Sequence, residues 1–598
     1  MCGITGYIGD KVRENLLDGL RNLEYRGYDS AGVAYILNGK IREVKATGKI
    51  AKLEQKLSEV AEIEESNIGI AHTRWATHGV PSEKNAHPHL STDNSFAVVH
   101  NGIIENFGRI KVELTKLGAE FKSDTDTEVV ANLLQFISGK TTLEKLINAA
   151  QKLVGSYALA CLSETEPNKI FLAKNKTPLY VALNGKNAYV GSDPICFQGK
   201  AEQYYTLEDG EFAEVASGSV LFYNANGQIE KAPLKIDKFE NSAGKENYPH
   251  FMLKEIKEEP LVLDRVLKTY KDNNPFAFLD KEMVKQIKEV VLIGCGTAYH
   301  AGLMGAQYLE KIARIKAKAV IASEYRYSFP VIEDGTLFIF VSQSGETADT
   351  LACLNLAEKA NAKSVALTNV LYSTLAKKCD KILPVCAGPE IAVASTKAYT
   401  CQIAELYMLA MHIKAIKENV TIDYYKKIEE AKQALTQIDE ESIKTLAEEI
   451  KDSDKVFFIG RQYDYITAEE GSLKLKEISY INSSAHASGE LKHGFLALIE
   501  NNTPLFAIMT QKDLLDKTLN GANEAVSRGA KLIAVTNWGE ELAEAHGIWQ
   551  IIKLPNLDAE VMPIVAIEVF QLLGYYVSTF KGLDPDKPRN LAKSVTVE

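Results

Sequence analysis

The spacing of apolar residues divides the chain into two parts with different predicted secondary structure. Up to about residue 240, short alternating or β-branched runs recur, which predicts strands at residues 32–37, 68–72, 96–100 and 219–223. Between them, helical patterns lie near residues 13–23, 106–117 and 128–137. Asn and Gly turns follow several of the strands. The pattern favours an α+β domain built on stacked antiparallel sheets.

After about residue 283, apolar strands alternate with helices. The predicted strands are residues 290–294, 336–341, 364–369 and 382–385, and a helix is predicted at 348–360. Similar apolar runs return at residues 455–461, 504–509 and 531–537, after a helical stretch at 398–446. Repeated strand, polar loop and helix are typical of a parallel sheet with helices on both faces. We therefore expect two copies of one α/β domain.

These changes of pattern set the expected domain boundaries. At 598 residues the chain is too long for one core. Small polar residues at 241–247 indicate a linker, and a helical stretch begins after His250. The expected organisation, in chain order, is an α+β domain at 1–240, a linker and helical segment at 241–282, one α/β domain at 283–425 and a second at 450–598 that includes the C-terminal tail.

Composition and charge exclude several classes of protein. A net charge of −11 argues against nucleic acid bound through a general basic surface. Charged residues from Asp10 onward argue against a cleavable signal sequence, and Pro563 and Glu568 interrupt the apolar run 561–580, which predicts a buried helix and not a membrane span. The eight cysteines form no CxxC pair and no secreted-type framework, so we expect the cytoplasm. Without a cluster of His and Cys ligands, we expect no metal, and we expect no cofactor.

The second residue is a candidate nucleophile. Because Cys2 is small, Met1 can be removed, and its removal would leave an α-amine and a thiol on one residue. An α-amine has a pKa of roughly 7.7 to 8, so it can act as the base that activates the thiol. The alternative is that Cys2 is simply a small residue that begins a strand at residues 4–9.

Polar residues follow two of the predicted strands. Arg74 is suited to bidentate binding of a carboxylate, and Asn101 with the backbone N–H of Gly102 is suited to hold an oxyanion. The alternative is ordinary turn chemistry, since Asn-Gly is a common hairpin dipeptide and an Arg after a strand is usually solvated.

Taken together, five motifs resemble the class II glutamine amidotransferase domain of the N-terminal nucleophile superfamily: residues 2–4, 24–32, 72–79, 100–102 and 123–128. The resemblance implies a role for each of seven residues: Cys2 as nucleophile, Asn101 and Gly102 as the oxyanion hole, Arg74 and Asp126 as ligands of the α-carboxylate and α-amine of glutamine, and Trp75 and Thr77 in a mobile loop near the substrate.

Two loops of the first α/β domain place hydroxyl groups at the start of a helix. Residues 342–347 and 395–397 both do so, and a helix N-terminus attracts an anion. No Walker pattern is present, which disfavours a nucleoside triphosphate. For either loop alone, N-capping by Ser and Thr is the alternative.

With residues 294–297, these loops resemble a sugar isomerase domain that holds a phosphosugar. The resemblance implies that the ligands of the phosphate and sugar hydroxyls are Thr297, Ser342, Gln343, Ser344, Thr347 and Ser395, with Val393 contributing backbone. Ala298 departs from the family, which commonly has serine there.

The second α/β domain carries charged residues at helical spacing. Glu470, Lys474 and Glu477 share one helix face, and a solvated row of salt bridges is the alternative to a functional role. With residues 489–494 and the tail at 588–598, the whole chain resembles the glucosamine-6-phosphate synthase family.

This wider resemblance implies further roles. Glu477 would be the base that moves a proton between C1 and C2 of the sugar, with Lys474 as a cation near the enolamine. Lys593 would form a Schiff base with the ketose, and His493, supplied by the neighbouring subunit, would assist ring opening. The departures are Asn482, His486 and Phe495, where His, Tyr and Pro are common.

The resemblance implies that glutamine is hydrolysed at Cys2 and that ammonia passes internally to fructose 6-phosphate, giving glucosamine 6-phosphate and glutamate. It also implies a homodimer. Two alternatives stay open. A different class II amidotransferase would need a pyrophosphate-binding pattern, which the second half of the chain lacks. A non-catalytic phosphosugar sensor would not need Cys2 or Lys593.

Overall fold

The computed structural model describes residues 2–24, 27–75, 78–236, 244–542 and 547–596. Its contacts divide the chain into two compact units, Met1–Glu240 with Ser594–Glu598, and Asn241–Lys593. The domain boundaries expected inside the second unit stay predictions.

The first unit is built from antiparallel strands and short helices. Among its described residues, strands β1 to β15 are Gly3–Ile8, Ser30–Leu37, Lys40–Thr47, Ile68–Arg74, His89–Leu90, Phe96–Ile104, Gly155–Ser163, Ile170–Asn175, Tyr180–Asn184, Asn187–Gly191, Gln203–Thr206, Glu211–Ala216, Ser219–Asn224, Gly227–Ile229 and Leu234–Lys235. Helices α1 to α5 are Val12–Leu23, Ile50–Ser58, Phe107–Lys116, Glu128–Phe136 and Thr142–Ala150.

Two sheets of the first unit pack face to face. The orders are β15-β11-β9-β10-β1-β4-β2-β3 and β14-β13-β12-β8-β7-β6-β5. Alternation along β1 shows how the layers form: Ile4 and Ile8 join the core between the sheets, whereas Tyr7 joins the core beneath α1 and α2. Helices α4 and α5 cover the outer face of the second sheet. The predicted α+β fold with stacked antiparallel sheets is confirmed.

The second unit alternates strands with helices. Its strands β16 to β25 are Glu289–Gly294, Lys316–Ile321, Thr336–Ser342, Lys363–Thr368, Lys381–Pro384, Lys455–Gly460, Asn482–Ala487, Pro504–Ile508, Lys531–Thr536 and Ile548–Lys553. Helices α6 to α19 in the described part are Phe251–Lys257, Glu259–Asn273, Lys281–Gln286, Thr297–Lys311, Ala322–Tyr325, Ala348–Lys359, Thr374–Lys378, Lys397–Glu418, Tyr425–Leu435, Glu440–Ile450, Tyr463–Ser479, Leu515–Val526, Gly539–Leu542 and Met562–Phe580.

The two parallel sheets of this unit repeat one topology. Their orders are β17-β16-β18-β19-β20 and β22-β21-β23-β24-β25, so the same permutation occurs twice and the predicted duplication is confirmed. In each copy the first strand in chain order, β16 or β21, ends at a glycine shortly before a helix. A Cβ on Gly294 would lie 2.7 Å from the Ala298 backbone, and one on Gly460 would lie 2.4 Å from the Asp464 backbone. The glycines therefore allow each helix to start against its strand.

Helix α19 lies in the core of the second unit, as predicted. It is long and apolar enough to cross a membrane by length and composition, and 83% of its apolar window is buried in the protein. Buried polar side chains, among them Glu568 and Gln571, lie along this helix. Burial against neighbouring helices accounts for its apolar character.

Candidate active sites

The first candidate site surrounds Cys2, just before β1. The backbone N–H of Trp75 donates to the Cys2 sulfur at 3.2 Å. The Asn101 amide Nδ2 donates to the Cys2 carbonyl oxygen at 3.0 Å. Burial raises the pKa of the Cys2 thiol, while the Trp75 N–H and the Arg74 guanidinium act in the opposite direction. These two groups offset the burial only in part, so the pKa of the thiol stays above its ordinary value.

Arg74 is buried and carries an unsatisfied donor. Its side chain is 3% exposed, and its Nη2 donates to the carbonyl oxygens of His78 and Gly79. The second terminal nitrogen, Nη1, is buried with no hydrogen-bond partner among the described residues. A buried guanidinium donor is costly to leave unpaired, so this group is suited to bind an anion such as a carboxylate. The alternative of a solvated Arg74 is wrong.

Asp126 lies close to this guanidinium. Its charge is among the groups that act on Arg74, and its Oδ2 accepts from the backbone N–H of Ile104 at 2.7 Å. The carboxylate is 4% exposed and is fixed at the end of β6 by that bond. A fixed cation and a fixed anion form a pair that suits the α-carboxylate and α-amine of an amino acid.

Asn101 and Gly102 lie inside a strand and not in a hairpin turn. Both belong to β6, where they pair with Ala158 and Tyr157 of β7. Gly102 has φ +130°, and a Cβ there would lie 2.0 Å from the Ser156 carbonyl oxygen. The turn alternative is therefore wrong, and the glycine is required by close backbone contact.

Of the two expected loop residues, Trp75 and Thr77, the structure describes only Trp75. Trp75 is half-buried, and its ring makes an edge contact with Tyr28 at 5.7 Å between centroids. Thr77 and Met1 lie outside the described residues. The roles expected for them stay predictions.

The second candidate site lies at the carboxyl edge of the sheet β17-β16-β18-β19-β20. Ser342 ends β18, and its hydroxyl accepts from the Gly345 N–H at 3.0 Å and lies 3.3 Å from the Thr347 hydroxyl. Ser344 accepts from the Glu346 N–H at 3.2 Å, and the carbonyl of Gln343 accepts from the Asn369 N–H at 3.3 Å. Thr347 begins α11 but its side chain forms no capping bond. Ordinary N-capping by Thr347 is therefore wrong here.

The N-terminus of α13 is capped by a carboxylate from the preceding loop. Glu390 Oε1 accepts from the backbone N–H groups of Thr396 and Ala398, each at 3.0 Å. Its Oε2 accepts from the Ser395 hydroxyl at 2.8 Å and pairs with the Lys593 ammonium. Although burial opposes it, Lys593 and these N–H groups lower the pKa of Glu390 to about 2. Lys593 is thus brought beside Ser395 on a buried anion.

A buried charge network joins the two α/β domains. Lys474 pairs with Glu477 at 2.7 Å and with Glu470 at 3.4 Å, and it donates to the Thr297 hydroxyl at 3.1 Å. Glu470 also accepts from Thr297 at 3.0 Å and contacts His300 Nδ1 at 2.7 Å. Burial acts to lower the pKa of Lys474, but the two carboxylates raise it. The side chains of Lys474 and Glu470 are each 1% exposed, so a solvated row of salt bridges is wrong.

Two other expected residues, Val393 and His493, have fewer contacts with the rest of the second site. Val393 donates its N–H to the Asp586 carbonyl at 3.0 Å, next to Ser395. His493 lies on an exposed turn, and no hydrogen bond or ion pair among the described residues joins it to the Lys474 network. Of the departures, His486 and Phe495 stack at 4.1 Å between ring centroids. The two positions at which the family commonly has Tyr and Pro are therefore in contact with each other in this chain.

The same domains appear when the chain is compared with known proteins. Residues 72–198 match the glutamine amidotransferase domain family, and residues 283–412 and 449–573 match the SIS domain family. The chain is 44% identical to a glutamine-fructose-6-phosphate aminotransferase (isomerizing) of Clostridium acetobutylicum over the full length of both. The chain belongs to this aminotransferase family. A relative of the same name from Clostridium tetani is 43% identical, again over both full lengths.

A solved structure of this aminotransferase family resembles the second unit. The C-terminal domain of glucosamine-fructose-6-phosphate aminotransferase from Francisella tularensis is 36% identical, with a TM-score of 0.55. It covers 58% of this chain, and all of that domain is matched. The predicted family and fold are therefore confirmed, and the chain is an enzyme of the aminotransferase class.

Three residues of the second site, Glu390, Glu470 and His300, have no role assigned from the sequence. Glu390 caps α13, Glu470 holds Thr297, and His300 contacts Glu470. A signal existed for His300, which lies three residues after Thr297 and so on the same face of α9. Glu470 was recognised on the helix face but given no role of its own. Glu390 had no local signal, because its partners come from α13 and the C-terminal tail.

Proposed function

We propose that this chain converts fructose 6-phosphate and glutamine into glucosamine 6-phosphate and glutamate. The main support is that one chain contains two sites. The first combines Cys2 with the unpaired guanidinium nitrogen of Arg74, and the second combines the hydroxyl groups of the 342–347 loop with the buried Lys593. The names of the relatives add support, since those proteins are glutamine-fructose-6-phosphate aminotransferases. Internal passage of ammonia is part of the proposal, because free ammonia in neutral water is mostly non-nucleophilic ammonium.

In the first half-reaction, Cys2 attacks the side-chain amide of glutamine. Asn101 and the Gly102 N–H stabilise the oxyanion, which is typically worth 10²–10³ in rate for each donor. The unpaired Nη1 of Arg74 binds the α-carboxylate and Asp126 binds the α-amine. The remaining expected residues of this site, Trp75 and Thr77, close over the substrate.

In the second half-reaction, Glu477 moves the proton between C1 and C2. Its side chain is 20% exposed, whereas those of Lys474 and Glu470 are each 1% exposed, so Glu477 is the member of the network that can reach a ligand. Lys474 supplies the cation beside the developing enolamine. Because the Thr297 O–H is already donated to Glu470, Thr297 has only a lone pair to offer a sugar hydroxyl.

The phosphate and the ketose bind at the loops of the first α/β domain. Gly345 lets the 342–347 loop turn back on itself, with φ +66°. Ser342, Gln343, Ser344 and Thr347 bind the phosphosugar there, with Ser395 and the backbone of Val393 on the facing loop. Lys593, held beside Ser395 by Glu390, forms the Schiff base with the ketose.

The proposal also includes an oligomeric state and a cellular location. His493 is proposed to act in the site of a neighbouring subunit, which fits its exposed position and requires a homodimer. We also propose a cytoplasmic location, where the eight cysteines stay reduced and the Cys2 thiol stays usable.

The test is to incubate the purified chain with glutamine and fructose 6-phosphate and to measure glutamate and glucosamine 6-phosphate together. We expect both products in equal amounts, and Cys2→Ala should abolish both. Without glutamine, Cys2→Ala should still interconvert fructose 6-phosphate and glucose 6-phosphate, because that isomerisation needs only the C1–C2 proton transfer of the second site. Sugar binding without turnover would favour a phosphosugar sensor, and glutamate without amino sugar would contradict the second half-reaction.

A further inference from the structure

Asn101, the proposed donor to the oxyanion, is hydrogen-bonded by a buried histidine on the side of its amide that faces away from Cys2. His72 lies in β4 and is fully buried. Its Nε2 lies 3.0 Å from the Asn101 Oδ1 and 3.0 Å from the His100 carbonyl oxygen. The His87 ring stacks on it at 4.2 Å between centroids, which fixes the plane of the imidazole.

The two contacts of Nε2 determine the tautomer. A carbonyl oxygen only accepts, so the Nε2 that faces the His100 carbonyl must carry the hydrogen. The Asn101 atom that shares this hydrogen must then be the amide oxygen. The amide nitrogen therefore points the other way, where it donates to the Cys2 carbonyl at 3.0 Å.

The imidazole is held in its neutral form. Burial lowers the pKa of His72 to about 3, and its Nδ1 is buried with no hydrogen-bond partner among the described residues. A proton on Nδ1 would be an unpaired buried donor, so the Nε2–H tautomer is the favoured one at neutral pH.

We propose that His72 is a positioning residue that orients the Asn101 amide so that its NH₂ group faces Cys2. This role rests on the proposed glutamine hydrolysis, and it adds a residue that does not touch the substrate. Without the Nε2–H, the amide can rotate by half a turn, which would place its oxygen against the developing oxyanion. The loss of one oxyanion donor sets the upper limit, about 10²–10³ in kcat.

Two substitutions of His72 distinguish the contribution of its Nε2–H donor from that of the imidazole ring as a whole. In His72→Gln, the side-chain NH₂ can reach the place of Nε2, whereas in His72→Asn it reaches only the place of Nδ1. We expect His72→Asn to lower kcat for glutamine hydrolysis by about 10- to 100-fold, within the limit for one donor, and to change KM little. His72→Gln should recover most of that loss.

The matched control is His89, which belongs to the same histidine cluster. Its ring lies 4.8 Å from that of His87, and its Nε2 bonds to the Thr125 hydroxyl at 3.0 Å. His89→Gln should therefore report the cost of replacing a buried imidazole in this cluster without disturbing Asn101. We expect kcat for glutamine hydrolysis to stay near the wild-type value.

A double-mutant cycle tests whether His72 acts through Asn101. In an Asn101→Ala background, His72→Asn should cause no further loss of kcat, because the amide to be oriented is gone. Equal losses in His72→Gln and His72→Asn, or a further loss in the Asn101→Ala background, would overturn the positioning role while leaving the proposed function intact. A wild-type chain with no glutaminase activity would overturn both.

Discussion

Replacing Lys474 with Met tests whether the buried network is a source of stability as well as chemistry. The change keeps the length of the side chain and removes its charge, leaving Glu470 buried beside two hydrogen-bond donors, Thr297 and His300. Removing one partner of a buried pair typically costs about 3–5 kcal/mol. Because the two donors remain, we expect the low end, about 3 kcal/mol of unfolding free energy at pH 8.

The pH dependence of this loss has a definite sign. In the wild type the pKa of Glu470 is lowered, against the effect of burial, chiefly by Lys474. Its contribution is therefore present above the ordinary carboxyl pKa and is lost as pH falls. Without Lys474, burial raises that pKa, so the variant should lose stability as pH rises above the ordinary carboxyl pKa. The deficit should be larger at pH 8 than at pH 5.

The assay is urea unfolding of the full chain at both pH values. The control is Lys444→Met, since Lys444 and Glu441 form an i,i+3 pair at 3.6 Å with side chains 43% and 82% exposed. That exposed pair should contribute less than about 1 kcal/mol. Adding Glu470→Gln to Lys474→Met should recover part of the loss by removing the stranded charge. A loss for Lys474→Met no larger than for the control, with no dependence on pH, would refute the reasoning.

Two further predictions concern the sugar site. Gly345→Ala places a Cβ 2.0 Å from the Ser373 hydroxyl, in a backbone conformation with φ +66°. Such a conformation costs a residue with a side chain about 1–3 kcal/mol. If that strain weakens sugar binding, KM for fructose 6-phosphate should rise at least about fivefold, while glutaminase activity is unchanged. An unchanged KM would show that the 342–347 loop does not bind the phosphosugar. Ala298→Ser restores the serine common in the family and should lower that KM by about 2- to 10-fold, the worth of one hydrogen bond; steady-state kinetics with saturating glutamine would detect it, and a raised KM would show that the added hydroxyl finds no partner.

The central strands could be predicted from sequence, but the edge strands β17 and β22 could not. Strands such as β16 and β18 are continuous apolar runs because both faces of a parallel sheet are covered. Lys316–Ile321 (β17) alternates lysine with apolar residues, and Asn482–Ala487 (β22) is small and polar. These two are strands because they pair with β16 and β21, and that tertiary pairing leaves little trace in local propensity.

Site residues could be predicted where the residue type itself suggests chemistry. Local propensity gave the wrong secondary structure where tertiary packing determines the conformation. Asn101-Gly102 is a common turn dipeptide, yet it lies within β6 because the sheet register outweighs the turn preference. In the sequence His72 is only one residue of the 72–79 motif, because the role proposed for it depends on a hydrogen bond to Asn101 on the facing sheet. The carboxylate of Glu390 is decisive at α13 but precedes that helix by several residues.

The most direct test of the account follows the amide nitrogen of glutamine. The purified chain is given glutamine labelled with ¹⁵N in the side-chain amide, fructose 6-phosphate and an excess of unlabelled ammonium, and the glucosamine 6-phosphate is analysed by mass spectrometry. The account predicts that nearly all of the amino sugar carries ¹⁵N, since nitrogen released at the Cys2 site is used before it mixes with the solvent. Amino sugar with the isotope ratio of the bulk ammonium would contradict coupled transfer, and labelled glutamine left intact would contradict hydrolysis at Cys2.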